Sequence, residues 1–201
     1  MTGLVALVDY GAGNLRSVEN ALREVGAEVA VTRDPAVVRS AARVVVPGQG
    51  SMPECAEAMR KSGVADAVVE AIRGGKPVLG ICVGLQILFE RGVEAGGARG
   101  LGVLPGTIER LPDTVKLPHI GWSRVRATPS CPPLLRPLDG QYLYFAHSYA
   151  APADAQGAAL LCDHGRPYCA GLSVGNLTGV QFHPEKSQAV GLALLSRFLA
   201  S

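Results

Sequence analysis

The segment Pro77-Val78-Leu79-Gly80-Ile81-Cys82-Val83-Gly84-Leu85-Gln86 is the strongest structural signal in the chain. An apolar run enters the pattern Gly-x-Cys-x-Gly, and apolar residues continue beyond it. This pattern predicts a buried strand that passes through a tight turn into a helix, with Cys82 at the turn. Glycine on either side of the cysteine leaves room for the strained backbone that such a turn needs.

Alternating strand and helix patterns surround this segment in the first half of the chain. The predicted strands are 4–9, 28–32, 43–46 and 77–81, and the predicted helices are 17–25, 53–61 and 64–73. Such alternation is typical of a parallel sheet covered by helices on both faces.

Glycine and proline become frequent after Phe89. Short strand-like runs follow at 101–104, 120–125, 142–145, 168–174 and 177–182, and a final helix is predicted at 189–199. We interpret this half as a mostly antiparallel extension of the same sheet. The fold prediction is therefore a single α/β domain over residues 1–201, with an open, mostly parallel sheet and helices on both faces.

The composition excludes several classes of protein. The 201 residues are 48% hydrophobic and 18% charged, with a formal net charge of +2, which argues against a disordered chain and against a nucleic-acid partner. The first apolar run ends at Asp9, and the longest, 78–85, is far shorter than the ~20 residues that span a bilayer. We therefore expect a cytoplasmic protein without a membrane partner.

Metal and cofactor signals are weak. The five cysteines are odd in number and irregular in spacing, which argues against a disulfide framework. Cys162, His164 and Cys169 superficially resemble metal ligands, but their spacing fits no paired Cys-x-x-Cys pattern. Gly11-Ala12-Gly13 begins a dinucleotide-binding fingerprint whose third glycine is replaced by Arg16. We expect no metal and no cofactor.

A nucleophilic thiol at Cys82 needs a base, and His183 is the best placed of the four histidines. The turn puts the thiol near a helix N-terminus, which favours the thiolate. His183 follows an apolar strand, and Pro184 holds the backbone extended, where residues two apart point the same way. Glu185 can then lie beside His183 and orient its ring. We predict a triad of nucleophile, base and orienting carboxylate.

The attacked carbonyl also needs hydrogen-bond donors for its developing oxyanion. The backbone N–H of Val83 directly follows the nucleophile. The loop Pro47-Gly48-Gln49-Gly50 follows the third strand, at the edge where ligands bind in open parallel sheets. We expect Gly48, Gln49 and Val83 to form the oxyanion hole.

Together these segments resemble the class I, triad-type glutamine amidotransferases, whose fold is flavodoxin-like. Four further segments are similar to the glutaminase subunits of imidazole glycerol phosphate synthases of histidine biosynthesis: 9–18, 117–122, 144–149 and 183–187. The resemblance runs from near the first residue to the last. Two positions depart from the usual pattern, since Ser123 stands where asparagine is common and Gln49 where valine is common.

The resemblance implies that L-glutamine is hydrolysed to L-glutamate and ammonia through a thioester on Cys82. The ammonia would pass to a (β/α)₈-barrel cyclase subunit in a heterodimer, which converts a phosphoribulosyl-formimino-AICAR phosphate to imidazole glycerol phosphate and AICAR. By the same resemblance, the residues that bind glutamine are Gly50, Gln86, Ser148 and Tyr149. Those that face the cyclase are Asn14, Trp122, Tyr144 and Lys186.

Two alternatives stay open at this point. The chain could be another class I glutaminase subunit, for example one serving pyridoxal phosphate or aminobenzoate synthesis, although the Gly-Asn and Gly-Trp segments argue against it. It could also be a regulatory subunit on the same fold that has lost catalysis. The presence together of Cys82, His183 and Glu185 argues against that reading.

Overall fold

A computed structural model describes residues 3–11 and 14–201 of the chain. The strands are β1 (Leu4–Val8), β2 (Glu28–Thr32), β3 (Arg43–Val46), β4 (Val78–Ile81), β5 (Phe89–Gly92), β6 (Ala98–Arg99), β7 (Leu104–Arg110), β8 (His119–Arg124), β9 (Arg126–Ala127), β10 (Tyr142–His147), β11 (Tyr149–Ala150), β12 (Ala158–Asp163), β13 (Pro167–Val174) and β14 (Leu177–Val180). The helices are α1 (Leu15–Glu24), α2 (Pro35–Ser40), α3 (Met52–Lys61), α4 (Val64–Arg73), α5 (Val83–Gln86) and α6 (Gln188–Ala200).

The central feature is an eight-stranded sheet in the order β2-β1-β3-β4-β14-β13-β12-β9. The pairs from β2 to β14 are parallel, and β13, β12 and β9 continue the sheet in antiparallel fashion. Every residue of β4 and β14 is buried, as expected for parallel strands that are covered on both faces. The predicted mixed α/β fold with a mostly parallel sheet is confirmed.

The second half differs in part from the prediction. Only some of its strands extend the large sheet, because β8 and β10 pair with each other as a separate antiparallel ribbon. A further four-stranded sheet has the order β11-β7-β5-β6. The strand predicted at 101–104 was wrong, since β7 begins at Leu104 and continues to Arg110.

Several short elements escaped the sequence patterns, and for two of them, β12 and α2, the reason is identifiable. β12 has the sequence Ala-Ala-Leu-Leu-Cys-Asp, an apolar run without alternation that suits a helix as well as a strand. α2 is only six residues long, and its start is marked by Asp34, whose side chain accepts a hydrogen bond from the Ala36 N–H. Of the suspected dinucleotide-binding segment, Ala12 and Gly13 lie outside the described residues. Within the described ranges, no helix has the length and apolar character needed to cross a membrane.

Candidate active site

Three loops that carry the predicted catalytic residues leave the same edge of the large sheet. β3, β4 and β14 are parallel neighbours, in that order. Gly48 comes two residues after β3, Cys82 directly after β4, and His183 three residues after β14. Because the carboxyl ends of parallel strands meet at one edge, these loops converge there.

Cys82 occupies a strained turn between β4 and α5. Its φ is 54° and its ψ is −114°, a conformation that costs a non-glycine residue on the order of 1–3 kcal/mol. The turn is so close to β3 that a Cβ on Gly84 would lie 2.0 Å from the Val46 carbonyl oxygen. The predicted strand–turn–helix is therefore present, although α5 is a single turn.

A buried glutamine contacts the Cys82 thiol. Gln181 is fully buried, and its Nε2 donates to Cys82 Sγ at 3.6 Å. Its Oε1 accepts from Gln86 Nε2 at 3.0 Å, and the same Gln86 nitrogen donates to the Tyr149 carbonyl at 2.8 Å. Gln86 thus uses both amide hydrogens within the protein and orients the side chain that touches the thiol.

His183 and Glu185 form a buried pair across a 3₁₀ turn, Pro184–Lys186, so the extended backbone predicted at Pro184 was wrong although the pairing is present. His183 Nδ1 lies 2.8 Å from Glu185 Oε1, and the two side chains are 6% and 1% exposed. An ionised carboxylate only accepts, so Nδ1 carries the proton and Nε2 remains for the thiol. Burial by itself lowers the pKa of His183, but interactions with Cys82 and with Glu185 outweigh it and raise the pKa to about 10. The ring therefore holds its proton at neutral pH.

Two backbone N–H groups are available beside the thiol. Those of Gln49 and Val83 donate no hydrogen bond to any protein group in the described part of the chain, and both residues line the cavity at Cys82. Gly48 places its loop directly against the turn, because a Cβ on it would lie 2.2 Å from the Gly84 nitrogen. Both N–H groups are therefore candidates for the oxyanion hole that the sequence predicts.

The cavity at Cys82 has a volume of about 220 Å³. Nine of the predicted site residues line it: Gln49, Gly50, Cys82, Val83, Gln86, Ser148, Tyr149, His183 and Lys186. Glu185 lies behind His183, and Gly48 lies behind the turn.

The other three predicted residues do not line this cavity. Trp122 and Tyr144 are opposite each other in the β8–β10 ribbon, with ring centroids 6.0 Å apart. Asn14 precedes α1 without a side-chain capping bond. The ribbon is nevertheless tied to the site, because the His183 N–H donates to the Tyr144 carbonyl at 2.9 Å.

Sequence reasoning missed several residues of the site. Glu94 lines the cavity and accepts a hydrogen bond from the Met52 N–H at 2.8 Å, but it comes from a short 3₁₀ turn with no local signature. His147 also lines it, with Nδ1 2.9 Å from the Tyr149 carbonyl. Gln181 directly follows β14 at a bend in the chain, and no sequence pattern marks it as a neighbour of the thiol.

The suspected metal ligands Cys162 and His164 contact other protein groups. The His164 ring stacks on that of His119 with centroids 4.0 Å apart, and the Cys162 thiol donates to the Asp163 carbonyl. Across residues 3–11 and 14–201, no group of three or more His, Cys, Asp or Glu side chains converges as in a metal site. All five cysteines are free and buried.

Comparison with known proteins identifies the family. The family model of class I glutamine amidotransferases matches residues 6–200. The HisH subunit of imidazole glycerol phosphate synthase from Nitrosomonas europaea is 47% identical, over 97% of both chains. That from Geobacter sulfurreducens is 41% identical, over 96% of this chain and 97% of the relative. The structure of PurLQS from Thermotoga maritima matches the fold with a TM-score of 0.77 at 21% identity, covering 100% of this chain and 99% of that one. The chain belongs to the class I glutamine amidotransferase family, and within it to the HisH glutaminase subunits of imidazole glycerol phosphate synthase.

Proposed function

We propose that the chain releases ammonia from L-glutamine at Cys82 and delivers it to a cyclase subunit in histidine biosynthesis. The observation that carries this proposal is the convergence of Cys82, His183 and Glu185 at one sheet edge, with two unbonded N–H groups in the same cavity. A regulatory subunit without catalysis would have no use for such an arrangement.

The first half of the reaction forms a glutamyl thioester. The Cys82 thiolate attacks the side-chain carbonyl carbon of glutamine, and the N–H groups of Gln49 and Val83 stabilise the oxyanion. Collapse of the tetrahedral intermediate breaks the C–N bond, and the His183 imidazolium gives its proton to the departing ammonia. The raised pKa of His183, about 10, keeps that proton in place until it is needed.

The second half hydrolyses the thioester. Once the sulfur is acylated, the Cys82 thiolate no longer raises the pKa of His183. The ring that gave its proton to ammonia therefore stays neutral and is available as the general base. It takes a proton from water, whose oxygen attacks the thioester carbonyl. The C–S bond then breaks, the thiolate leaves, and glutamate is released.

The cavity offers groups for the amino-acid end of glutamine. The Glu94 carboxylate lines it and matches the α-ammonium group, a charge-assisted contact. Gly50, Ser148 and Tyr149 line the same cavity and are proposed to hold the remaining polar atoms. Gln86 contributes mainly by fixing Tyr149, because both of its amide hydrogens are engaged in the protein.

An exposed apolar face on the β8–β10 ribbon supports a partner at this end of the molecule. Ile120, Trp122 and Tyr142 are 63%, 45% and 59% exposed, which is unusual for large apolar side chains. Tyr144 packs edge-on against Trp122, and Lys186 Nζ lies 5.7 Å from the centre of the Tyr144 ring. A partner that contacts this face would touch Tyr144, whose carbonyl accepts a hydrogen bond from the His183 N–H.

We propose that this partner is a (β/α)₈-barrel cyclase subunit and that the two chains form a heterodimer, with Asn14, Trp122, Tyr144 and Lys186 at the interface. The named relatives are subunits of imidazole glycerol phosphate synthase, which supports a partner of this kind. The single domain over residues 1–201 and the cytoplasmic location stay predictions.

The test is a mixing assay that measures glutamate release and ring formation together. The chain with glutamine alone should turn over slowly, and adding a cyclase subunit with its nucleotide ligand should raise the rate strongly. Cys82→Ala should abolish glutamate release and still bind the cyclase. Cys131→Ala, which removes another buried thiol, is the matched control and should keep its activity. Glutamate release by Cys82→Ala above a trace would contradict the assignment of the nucleophile.

A further inference from the structure

Two buried side chains outside the cavity hold the loop that carries Gly48 and Gln49. The Tyr10 hydroxyl donates to the Pro47 carbonyl at 2.5 Å, and the Cys55 thiol donates to the Gln49 carbonyl at 3.4 Å. Tyr10 is 4% exposed and Cys55 is 1% exposed. These two bonds hold the loop on both sides of Gly48; the bond from Tyr10 is buried and the bond from Cys55 is partly buried.

Burial keeps both groups in the donor form. It raises the pKa of the Tyr10 phenol and the pKa of the Cys55 thiol, which interact with each other. Both therefore keep their hydrogens at neutral pH and can donate to the two carbonyls. Loss of the Tyr10 donor would leave the buried Pro47 carbonyl unpaired, at a cost of about 1–3 kcal/mol, and this favours the observed position of the loop.

The peptide between the two hydrogen-bonded carbonyls carries the N–H of Gln49, which is the predicted oxyanion donor. Gly48 packs on the turn at Cys82, as the 2.2 Å approach of a Cβ to the Gly84 nitrogen shows. The Gly48–Gln49 peptide follows, and its N–H has no protein partner in the described residues. Its position relative to the thiol depends on how firmly the flanking carbonyls are held.

We propose that Tyr10 and Cys55 are positioning residues for the oxyanion hole: their bonds to Pro47 and Gln49 set the distance between the Gln49 N–H and the reacting carbonyl. The inference rests on the proposed glutaminase function. An oxyanion donor acts within about 2.7–3.1 Å of the charge, and a single one contributes about 10²- to 10³-fold to kcat. A loosened loop should lose part of that contribution while substrate binding continues.

The experiment compares Tyr10→Phe, Cys55→Ala and Cys55→Ser in the complex with the cyclase subunit, measuring kcat and KM for glutamine. We expect kcat to fall about tenfold in Tyr10→Phe and Cys55→Ala, with KM within about twofold of wild type, since only part of one donor's effect is lost. Cys55→Ser keeps a donor and should recover most of the loss. The control is Cys169→Ala, which removes a buried thiol that donates to the Gly171 carbonyl, also at 3.4 Å.

A second readout separates the oxyanion hole from the thiol. Iodoacetamide alkylates Cys82 by direct displacement of iodide, which forms no oxyanion, so the alkylation rate of the Cys82 peptide should match wild type in all three variants. The proposal is overturned if kcat is unchanged in Tyr10→Phe and Cys55→Ala, or if kcat and alkylation fall together. Absence of glutaminase activity in wild type with its cyclase would instead refute the proposed function.

Discussion

Replacing Glu185 by glutamine removes the negative charge of the triad carboxylate and keeps the size of the side chain. The carboxylate is 1% exposed, with Oε1 2.8 Å from His183 Nδ1 and Oε2 without a hydrogen-bond partner among the described residues. Glutamine has the same size and can still accept from Nδ1. It removes the negative charge, however, and it can turn its NH₂ group toward the ring and favour the wrong tautomer.

The size of the effect follows from the environment of His183. Burial disfavours the imidazolium, yet Cys82 and Glu185 together raise its pKa from 6.5 to about 10, which corresponds to on the order of 5 kcal/mol at 1.36 kcal/mol per unit. A hydrogen bond to a charged group contributes about 1.5–3 kcal/mol, so loss of the carboxylate should lower kcat roughly 10- to 10²-fold. Loss of the correct tautomer can extend this toward the ~10⁴-fold seen for the equivalent change in a serine protease triad.

The assay is steady-state glutamate release in the complex with the cyclase, across pH 6 to 10. Glu57→Gln is the control, because Glu57 forms only an exposed ion pair with Lys61 and should leave kcat unchanged. A kcat for Glu185→Gln within about threefold of wild type, in folded protein, would refute the role given to the carboxylate.

Four other changes have defined outcomes. Gly48→Ala should cut kcat at least tenfold and lower the free energy of unfolding by about 1–3 kcal/mol in urea melts, because its Cβ would collide with the Gly84 nitrogen. Glu94→Gln should raise KM for glutamine about tenfold or more with a smaller change in kcat, since a charged contact is worth about 1.5–3 kcal/mol. Lys186→Ala should weaken activation in a titration with the cyclase. The pKa of His183 in the folded protein is about 10, above the unfolded value of 6.5. The protonated ring therefore contributes fully to the free energy of unfolding below pH 6.5, and this contribution is lost as the pH rises toward 10. Urea melts of wild type and His183→Gln should converge over that range.

Each of these has a contradicting result. Wild-type kcat in Gly48→Ala would mean that the loop does not need its close approach to the turn. An unchanged KM in Glu94→Gln would remove the carboxylate from substrate binding, and an unchanged titration for Lys186→Ala would leave the lysine as ordinary surface. Melts of wild type and His183→Gln that stay parallel from pH 6.5 to 10 would contradict the raised pKa of His183.

Local sequence was a good guide where local physics decides the structure. The strands β2 and β3 and the helix α4 have the predicted bounds, because their apolar periodicity and flanking turns agree. The turn at Cys82 could also be predicted, because only glycine fits at position 84, where a Cβ would lie 2.0 Å from the Val46 carbonyl oxygen. The pairing of β8 with β10 could not be predicted, because the residue pattern of a strand does not identify the strand it pairs with.

The sequence alone determined the nucleophile turn and the alternation that builds a parallel sheet, because each depends on neighbours along the chain. It also predicted the pairing of His183 with Glu185, but through an extended backbone, whereas Pro184–Lys186 forms a 3₁₀ turn. Tertiary structure alone decided that Gln181 touches the thiol, that Glu94 reaches the cavity and that Cys55 holds Gln49 in place. Nothing near Cys55 in the sequence indicates a hydrogen bond from its thiol to the loop. The contact between Gln181 and Cys82 joins residues 99 apart in the chain, and it forms because β14 and β4 are neighbours in the sheet. Cys55 is only six residues from Gln49, but its thiol reaches that carbonyl only through the path of the loop that enters α3.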